Sequence, residues 1–156
     1  MLIGVISDTH RYVWIIENAV KKLGNIDLLI HLGDNVQDVK EIAKYYTGPI
    51  LNVKGNCDFS VDTPGEIIEE IAGKRFFITH GHRYDVKSDM SRLKYKALEV
   101  QADVVLYGHT HISQIAYENG IWFINPGSPA ISRDGFNSVA LIDITDGKIN
   151  ASIKAI

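Results

Sequence analysis

Residues 2–10 read LIGVISDTH, an apolar run from Leu2 to Ile6 that stops at Ser7 and opens into Asp8, Thr9 and His10. A short apolar run bounded by polar residues is the pattern of a buried strand. The same arrangement returns four times. Leu28 to Leu32 runs into Gly33-Asp34, Ile50 to Val53 into Gly55-Asn56-Cys57-Asp58, Arg75 to Thr79 into His80-Gly81-His82, and Val104 to Tyr107 into Gly108-His109-Thr110-His111. Between the first two strands, Tyr12, Ile15, Ile16, Ala19, Val20 and Leu23 recur at helical spacing, closed by Gly24 as a C-terminal cap. Val36, Val39, Ile42, Ala43 and Tyr46 predict a second helix before Gly48-Pro49. Met90, Leu93, Ala97 and Leu98 predict a third, with Ser88 as its N-cap. The first half therefore reads βαβαβ.

Beyond residue 110 the pattern changes to paired strands. Gln114 to Tyr117 and Ile121 to Asn125 flank Asn119-Gly120, while Val139 to Ile144 and Lys148 to Ile153 flank Asp146-Gly147. Both dipeptides favour the type I′ turn of a two-residue hairpin. Together these elements predict an α/β fold whose sheets mix parallel and antiparallel strands, stacked as a sandwich with helices outside.

The chain has 156 residues, 46% hydrophobic and 22% charged, enough for one domain with a buried core and too apolar for intrinsic disorder. A single domain over 1–156 is expected. No apolar run is long enough to span a bilayer, and a net charge of −3 gives no dedicated nucleic-acid surface. The one cysteine, Cys57, and an opening without a charged signal-peptide start point to the reducing cytoplasm.

The polar clusters close the strands at their carboxyl ends, the edge where open α/β sheets bind ligands. All six histidines, His10, His31, His80, His82, His109 and His111, lie in or immediately before one of them. Imidazole nitrogens and carboxylate oxygens together suit borderline divalent metals, and Asp-x-His or His-x-His offers two ligands from one turn. His31, inside its apolar run, reads as a core histidine rather than a ligand.

The ordered set D-x-H, G-D, G-N-x-D, H-x-H and G-H-x-H over residues 8–111 resembles the calcineurin-like metallophosphoesterase superfamily. The short length, Cys57 and Asn125-Pro126-Gly127-Ser128 are most similar to its small bacterial and archaeal phosphodiesterases of the YfcE type. The resemblance implies a metallophosphoesterase-like sandwich of two mixed sheets flanked by helices. It implies that Asp8, His10 and His111 hold one metal, that Asn56, His80 and His109 hold the other, and that Asp34 bridges. Asn56 and His82 would border the substrate, and Asn56, Asp58 and His82 are the candidate catalytic groups.

The expected cofactor is two divalent transition-metal ions per chain, Mn²⁺ or Ni²⁺ first, then Fe, Co or Zn; the four imidazoles favour such ions over Mg²⁺ on ligand softness. Two such ions, two carboxylates and a bridging hydroxide sum to about +1, a receptor for a phosphate ester anion. The implied activity is hydrolysis of a small phosphodiester by metal-activated water. Much of the superfamily has a histidine where this chain has Cys57, so the group that protonates the leaving oxygen is not identified. The competing reading is a non-catalytic protein-interaction scaffold like the retromer subunit of the same fold. The sequence is compatible with a homo-oligomer and assigns no role to Arg11 or Arg133.

Overall fold

Leu2–Ile6 forms strand β1, and the helical stripe that follows it forms α1, Val13–Leu23, with Gly24 as its C-cap. Strands β2 (Leu28–His31) and β3 (Ile50–Asn52) continue parallel to β1. The computed structural model describes residues 1–59 and 61–156.

The predicted helix over 36–46 is broken up. Val36–Asp38 is a 3₁₀ turn, entered through Asn35 in the left-handed region, and only Val39–Ile42 is α-helical (α2). The coil runs on to Tyr46 by single turns, with the Tyr46 N–H on the Ile42 carbonyl at 3.0 Å.

Strand β4 (Glu66–Ile71), which the sequence reading does not anticipate, pairs antiparallel with β5 (Lys74–Thr79). Helix α3 (Ser91–Glu99) follows, and Ser88 is not its cap: the Ser88 hydroxyl donates to Asp85, and Asp89 accepts the Ser91 N–H at 2.7 Å. Strands β6 (Val104–Leu106), β7 (Ser113–Glu118), β8 (Ile121–Pro126), β9 (Ser138–Thr145) and β10 (Lys148–Ala155) complete the chain. Both predicted hairpins form, with positive φ at Asn119, Gly120, Asp146 and Gly147 as a type I′ turn requires.

Ten strands make two mixed five-stranded sheets, ordered β10-β9-β1-β2-β3 and β4-β5-β6-β8-β7. The alternation of a strand sorts its side chains between layers. Ile3, Val5, Ile30, Phe76, Ile78, Val104 and Leu106 meet between the sheets. Ile6 and Leu29 face α1, packing on Ile16, Ala19 and Leu23, while Phe77 and Val105 pack on Leu93 and Ala97 of α3. The parallel strands β1, β2 and β3 of one sheet and β5 and β6 of the other then deliver all five polar clusters to one end of the sandwich.

Candidate metal centre

Each cluster begins where a strand gives way to a sharp turn. Asp8, His10, Asp34, His109 and His111 all hold φ between 47° and 68°. This left-handed region costs an L-residue about 1–2 kcal/mol and persists where surrounding bonds enforce it. Those bonds are present. The Asp8 N–H donates to the Gly33 carbonyl at 3.0 Å, and the Gly108 N–H to the His80 carbonyl at 2.9 Å, so the turns lace to one another.

Two groups of ligand atoms result: Asp8, His10, Asp34 and His111 in one, and Asp34, His80 and His109 in the other, with the atoms of each group within 4.8 Å of one another. Asp34 belongs to both. Its Oδ1 accepts the Cys57 N–H at 2.9 Å, leaving Oδ2 3.4 Å from Nε2 of His80 and 3.6 Å from Nε2 of His10.

The donor set fits cations. His80 Nδ1 lies 2.8 Å from the Leu32 carbonyl and His111 Nδ1 lies 3.0 Å from the Ile131 carbonyl. A carbonyl only accepts, so both Nδ1 atoms carry a hydrogen, and either ring, on giving up a proton from Nε2, turns a lone pair inward there. Those lone pairs face other acceptors. Oδ1 of Asp8 is buried with no hydrogen-bond partner, 3.1 Å from His111 Nε2 and 3.9 Å from His80 Nε2. Nitrogen meets nitrogen at 3.3 Å between His10 and His111 and at 3.2 Å between His80 and His109, contacts in which the His10 or His109 ring can supply a bridging hydrogen, whereas Asp8 Oδ1 has no such partner. Lone pairs converging in a buried space repel unless a positive charge sits among them.

The ionisation pattern has the same origin. Burial would raise the Asp8 carboxyl, but the imidazoles of His10 and His111 and the charge of His80 outweigh it and hold it far below the usual carboxylate range. For Asp34 burial likewise raises and His80 lowers, leaving it at about 2. His10 is raised by Asp8. His109 falls to about 4 through burial and the charges of His80 and Lys87.

The framework behind the ligands is close-fitting. Oδ2 of Asp8 accepts from the Ser7 hydroxyl and from the His109 N–H at 3.1 Å, which orients Oδ1 inward. A Cβ on Gly108 would strike the Ser7 hydroxyl and come within 2.7 Å of Asp8 Oδ2. One on Gly55 would strike Asp34 Oδ1 and approach the Asp34 nitrogen to 2.7 Å. The end of β8 and the loop after it buttress from behind: Asn125 Nδ2 donates to the Gly108 carbonyl at 3.1 Å, and the Ser128 hydroxyl donates to the Asp8 carbonyl at 2.8 Å. Only the Asn-Pro-Gly-Ser turn signalled these supports in the sequence.

Other candidates are placed differently from the ligands. His31 is a core histidine: its Nδ1 accepts the Gly33 N–H at 3.2 Å, its Nε2 lies 3.1 Å from the Thr9 hydroxyl, and burial lowers its pKa to about 4. Asp58, a candidate catalytic acid in the sequence, is a clasp. Its two oxygens accept four backbone N–H groups, from Asp34, Asn35, Val36 and Gly55, at 2.8–2.9 Å, and this employment leaves no free carboxyl to serve as an acid.

Asn56 is exposed, with Nδ2 3.7 Å from the Cys57 sulfur. Burial and the Asp34 carboxylate push the Cys57 thiol up to about 11. His82 is half-buried, its ring 5.3 Å from that of His80, with Nδ1 buried and unpartnered; burial and the His80 charge lower its pKa.

The chain matches the calcineurin-like phosphoesterase superfamily domain over residues 1–147. It is 35% identical over 158 residues to a probable metallophosphoesterase of Methanothermobacter thermautotrophicus, covering 98% of this chain and 91% of that one. It is 30% identical over 161 residues to a phosphodiesterase of Methanocaldococcus jannaschii, covering 92% and 93%. Among solved structures, a predicted phosphoesterase from Streptococcus pneumoniae TIGR4 superposes with TM-score 0.83 at 30% identity, covering 99% of this chain and 88% of that one. Vps29 of Entamoeba histolytica superposes with TM-score 0.78 at 20% identity, covering 100% and 99%, a likeness of fold.

Proposed function

This chain belongs to the calcineurin-like phosphoesterase superfamily, and from that premise we propose that it is a two-metal phosphodiesterase acting on small phosphodiesters. The observation that carries the reading is Asp34 Oδ2, one carboxylate oxygen set between the His80 and His10 nitrogens. In this reading Asp8, His10 and His111 hold one ion, Asn56, His80 and His109 the other, and Asp34 both. Mn²⁺ or Ni²⁺ are the ions we expect first, with Fe, Co or Zn next. Such a pair, when bound, makes water acidic enough to act as nucleophile near neutral pH and offsets the charge of the phosphoryl oxygens.

The chain's own groups do the remaining work. Leu32 and Ile131 carbonyls fix the His80 and His111 tautomers so that both rings offer a lone pair. Ser7 and the His109 amide turn Asp8 so that Oδ1 does the same. Asn56 stands at the substrate's edge of the site. His82, beside His80, is the group we assign to protonating the leaving oxygen, which it would do from its imidazolium form.

Preference for diesters is supported by the phosphodiesterase of M. jannaschii among its relatives. We read residues 1–156 as one such domain and place it in the cytoplasm, in keeping with its single free cysteine. Among the described residues no helix is long and apolar enough to cross a membrane. The scaffold alternative has the likeness to Vps29 behind it, which at 20% identity is a likeness of fold alone.

The deciding experiment strips the protein of metal, reloads it with each candidate ion, and measures kcat/KM for bis(4-nitrophenyl) phosphate, 4-nitrophenyl phosphate and cyclic nucleotides. The expected result is metal-dependent hydrolysis with diesters ahead. Hydrolysis by none of the reloaded forms would overturn the enzyme reading, and a monoester preference would overturn the diester assignment.

A further inference from the structure

A cavity of about 330 Å³ opens beside the metal-ligand turn, with Thr110, the residue between His109 and His111, in its wall. That volume is at the small end of the range for small-molecule sites. Its surfaces differ in character. Val86, Met90 and Ile112 make apolar walls, and Tyr107, 1% exposed, closes the floor, its hydroxyl donating to Gln114 Oε1 at 2.6 Å. Lys87 and Arg133 stand at the same cavity, both exposed, and among the described residues neither forms a salt bridge. Arg133 is tied to the centre through its N–H, which donates to the His111 carbonyl at 2.8 Å.

Two unpaired cations around an apolar cleft, one turn away from the candidate metal ligands, call for a ligand with an apolar body and an anionic end. We propose that this cavity holds one ester arm of a phosphodiester substrate, an arm made of a ring and a second anionic group, with Lys87 and Arg133 binding the anion. The assignment rests on the phosphodiesterase reading and narrows its substrate class to diesters charged beyond the scissile phosphate. The Met90 thioether and the Ile112 side chain supply adaptable contact for the ring. The Gln114 carbonyl already accepts from Tyr107, so its amide hydrogens remain for an acceptor on the arm.

Two diesters differing by one phosphate test this: thymidine 5′-(4-nitrophenyl phosphate) and its 3′-phosphorylated counterpart, with consumption followed by chromatography. The natural protein should favour the 3′-phosphorylated diester by about tenfold in kcat/KM, and Lys87→Gln or Arg133→Gln should each lower that ratio by about three- to fivefold. The double variant should bring the ratio near one, and Lys87→Arg should keep most of it. Because each ratio is taken within one protein, a general loss of activity cancels.

Calorimetry on metal-free protein supplies an independent reading. Thymidine 3′,5′-bisphosphate should bind more tightly than thymidine 5′-monophosphate to the natural protein and no more tightly to the double variant. Equal binding of the two nucleotides by the natural protein, or a ratio that the double variant leaves unchanged, would overturn the cavity assignment. Absence of hydrolysis of bis(4-nitrophenyl) phosphate with every ion would instead overturn the phosphodiesterase reading, and nucleotide binding would then decide the cavity by itself.

Discussion

The N–H of Asp34 donates to Oδ2 of Asp58 at 2.9 Å, so the carboxylate proposed to serve both ions is held in place by another carboxylate 24 residues away. Asp58 also takes the N–H groups of Asn35, Val36 and Gly55, and it is buried. An anion that accepts four amides fixes the turn on which Asp34 sits.

Asp58→Asn is therefore expected to act first on stability. The amide would set its NH₂ against two of the four N–H groups, and hydrogen bonds to a buried charge are worth about 1.5–3 kcal/mol each. A loss of roughly 3 kcal/mol or more in urea unfolding is expected, with weaker metal binding. Unchanged stability together with a selective loss on substrates with poor leaving groups would return Asp58 to the role of proton donor.

Gly108→Ala should disturb Asp8 directly, because the added methyl carbon meets the Ser7 hydroxyl and Asp8 Oδ2. Overpacking of this kind costs typically about 1–3 kcal/mol. Melting temperature and metal affinity should both fall, and Ser7→Ala in the same chain should recover part of the melting loss. Additive effects of the two substitutions would show that the close approach is not the cause.

His31 makes stability depend on pH. Its folded pKa is about 4 against 6.5 for the free side chain, because burial disfavours the charged ring. Between those values the unfolded chain binds the proton and the folded chain does not, so stability falls as pH drops from about 6.5 towards 4. The loss amounts to about 2 kcal/mol by pH 5. His31→Asn, which keeps an acceptor for the Gly33 N–H, should remove this component. Metal-stripped natural protein should therefore lose about 2 kcal/mol more than the variant between pH 7.5 and pH 5 in urea titrations. Parallel losses would show that other groups govern the acid sensitivity.

Sequence legibility followed the range of the forces involved. Leu2–Ile6 and the Asn119-Gly120 and Asp146-Gly147 turns are local patterns, and the structure returns them nearly residue for residue. Strand β4 escaped because EIIEEI does not alternate, and its turn, Ala72-Gly73, takes the same positive φ values without the Asn or Asp that signals them. The helix expected over 36–46 gave way at its start, where Asn35 is left-handed and the amides of residues 34–36 turn to Asp58. All seven proposed ligand positions lie in the strand-end clusters legible in the sequence, and the six Asp and His side chains among them converge. The clasp did not announce itself, since an aspartate after Gly-Asn-Cys reads alike as an acid or as an acceptor of distant amides. The cavity beside Thr110 draws on residues 86–133, which no local motif joins.

Asp34→Asn is the most direct test of the shared oxygen. The substitution preserves shape, and the remaining carbonyl oxygen can still accept the Cys57 N–H that Oδ1 accepts now. What it removes is Oδ2, the atom near both His80 and His10, and in its place it sets an NH₂ group that cannot donate a lone pair to a cation. If Asp34 serves both ions, metal content by mass spectrometry should fall at both sites together, and hydrolysis should fall by at least about 100-fold, while circular dichroism and urea unfolding of the metal-free protein stay close to those of the natural chain. His111→Ala provides the contrast, because it removes a ligand from one group alone. It should deplete one ion and spare the other, giving about one metal per chain. Asp34→Asn with two ions retained would exclude the bridging role, and His111→Ala with both ions lost would show that the two sites do not fill independently.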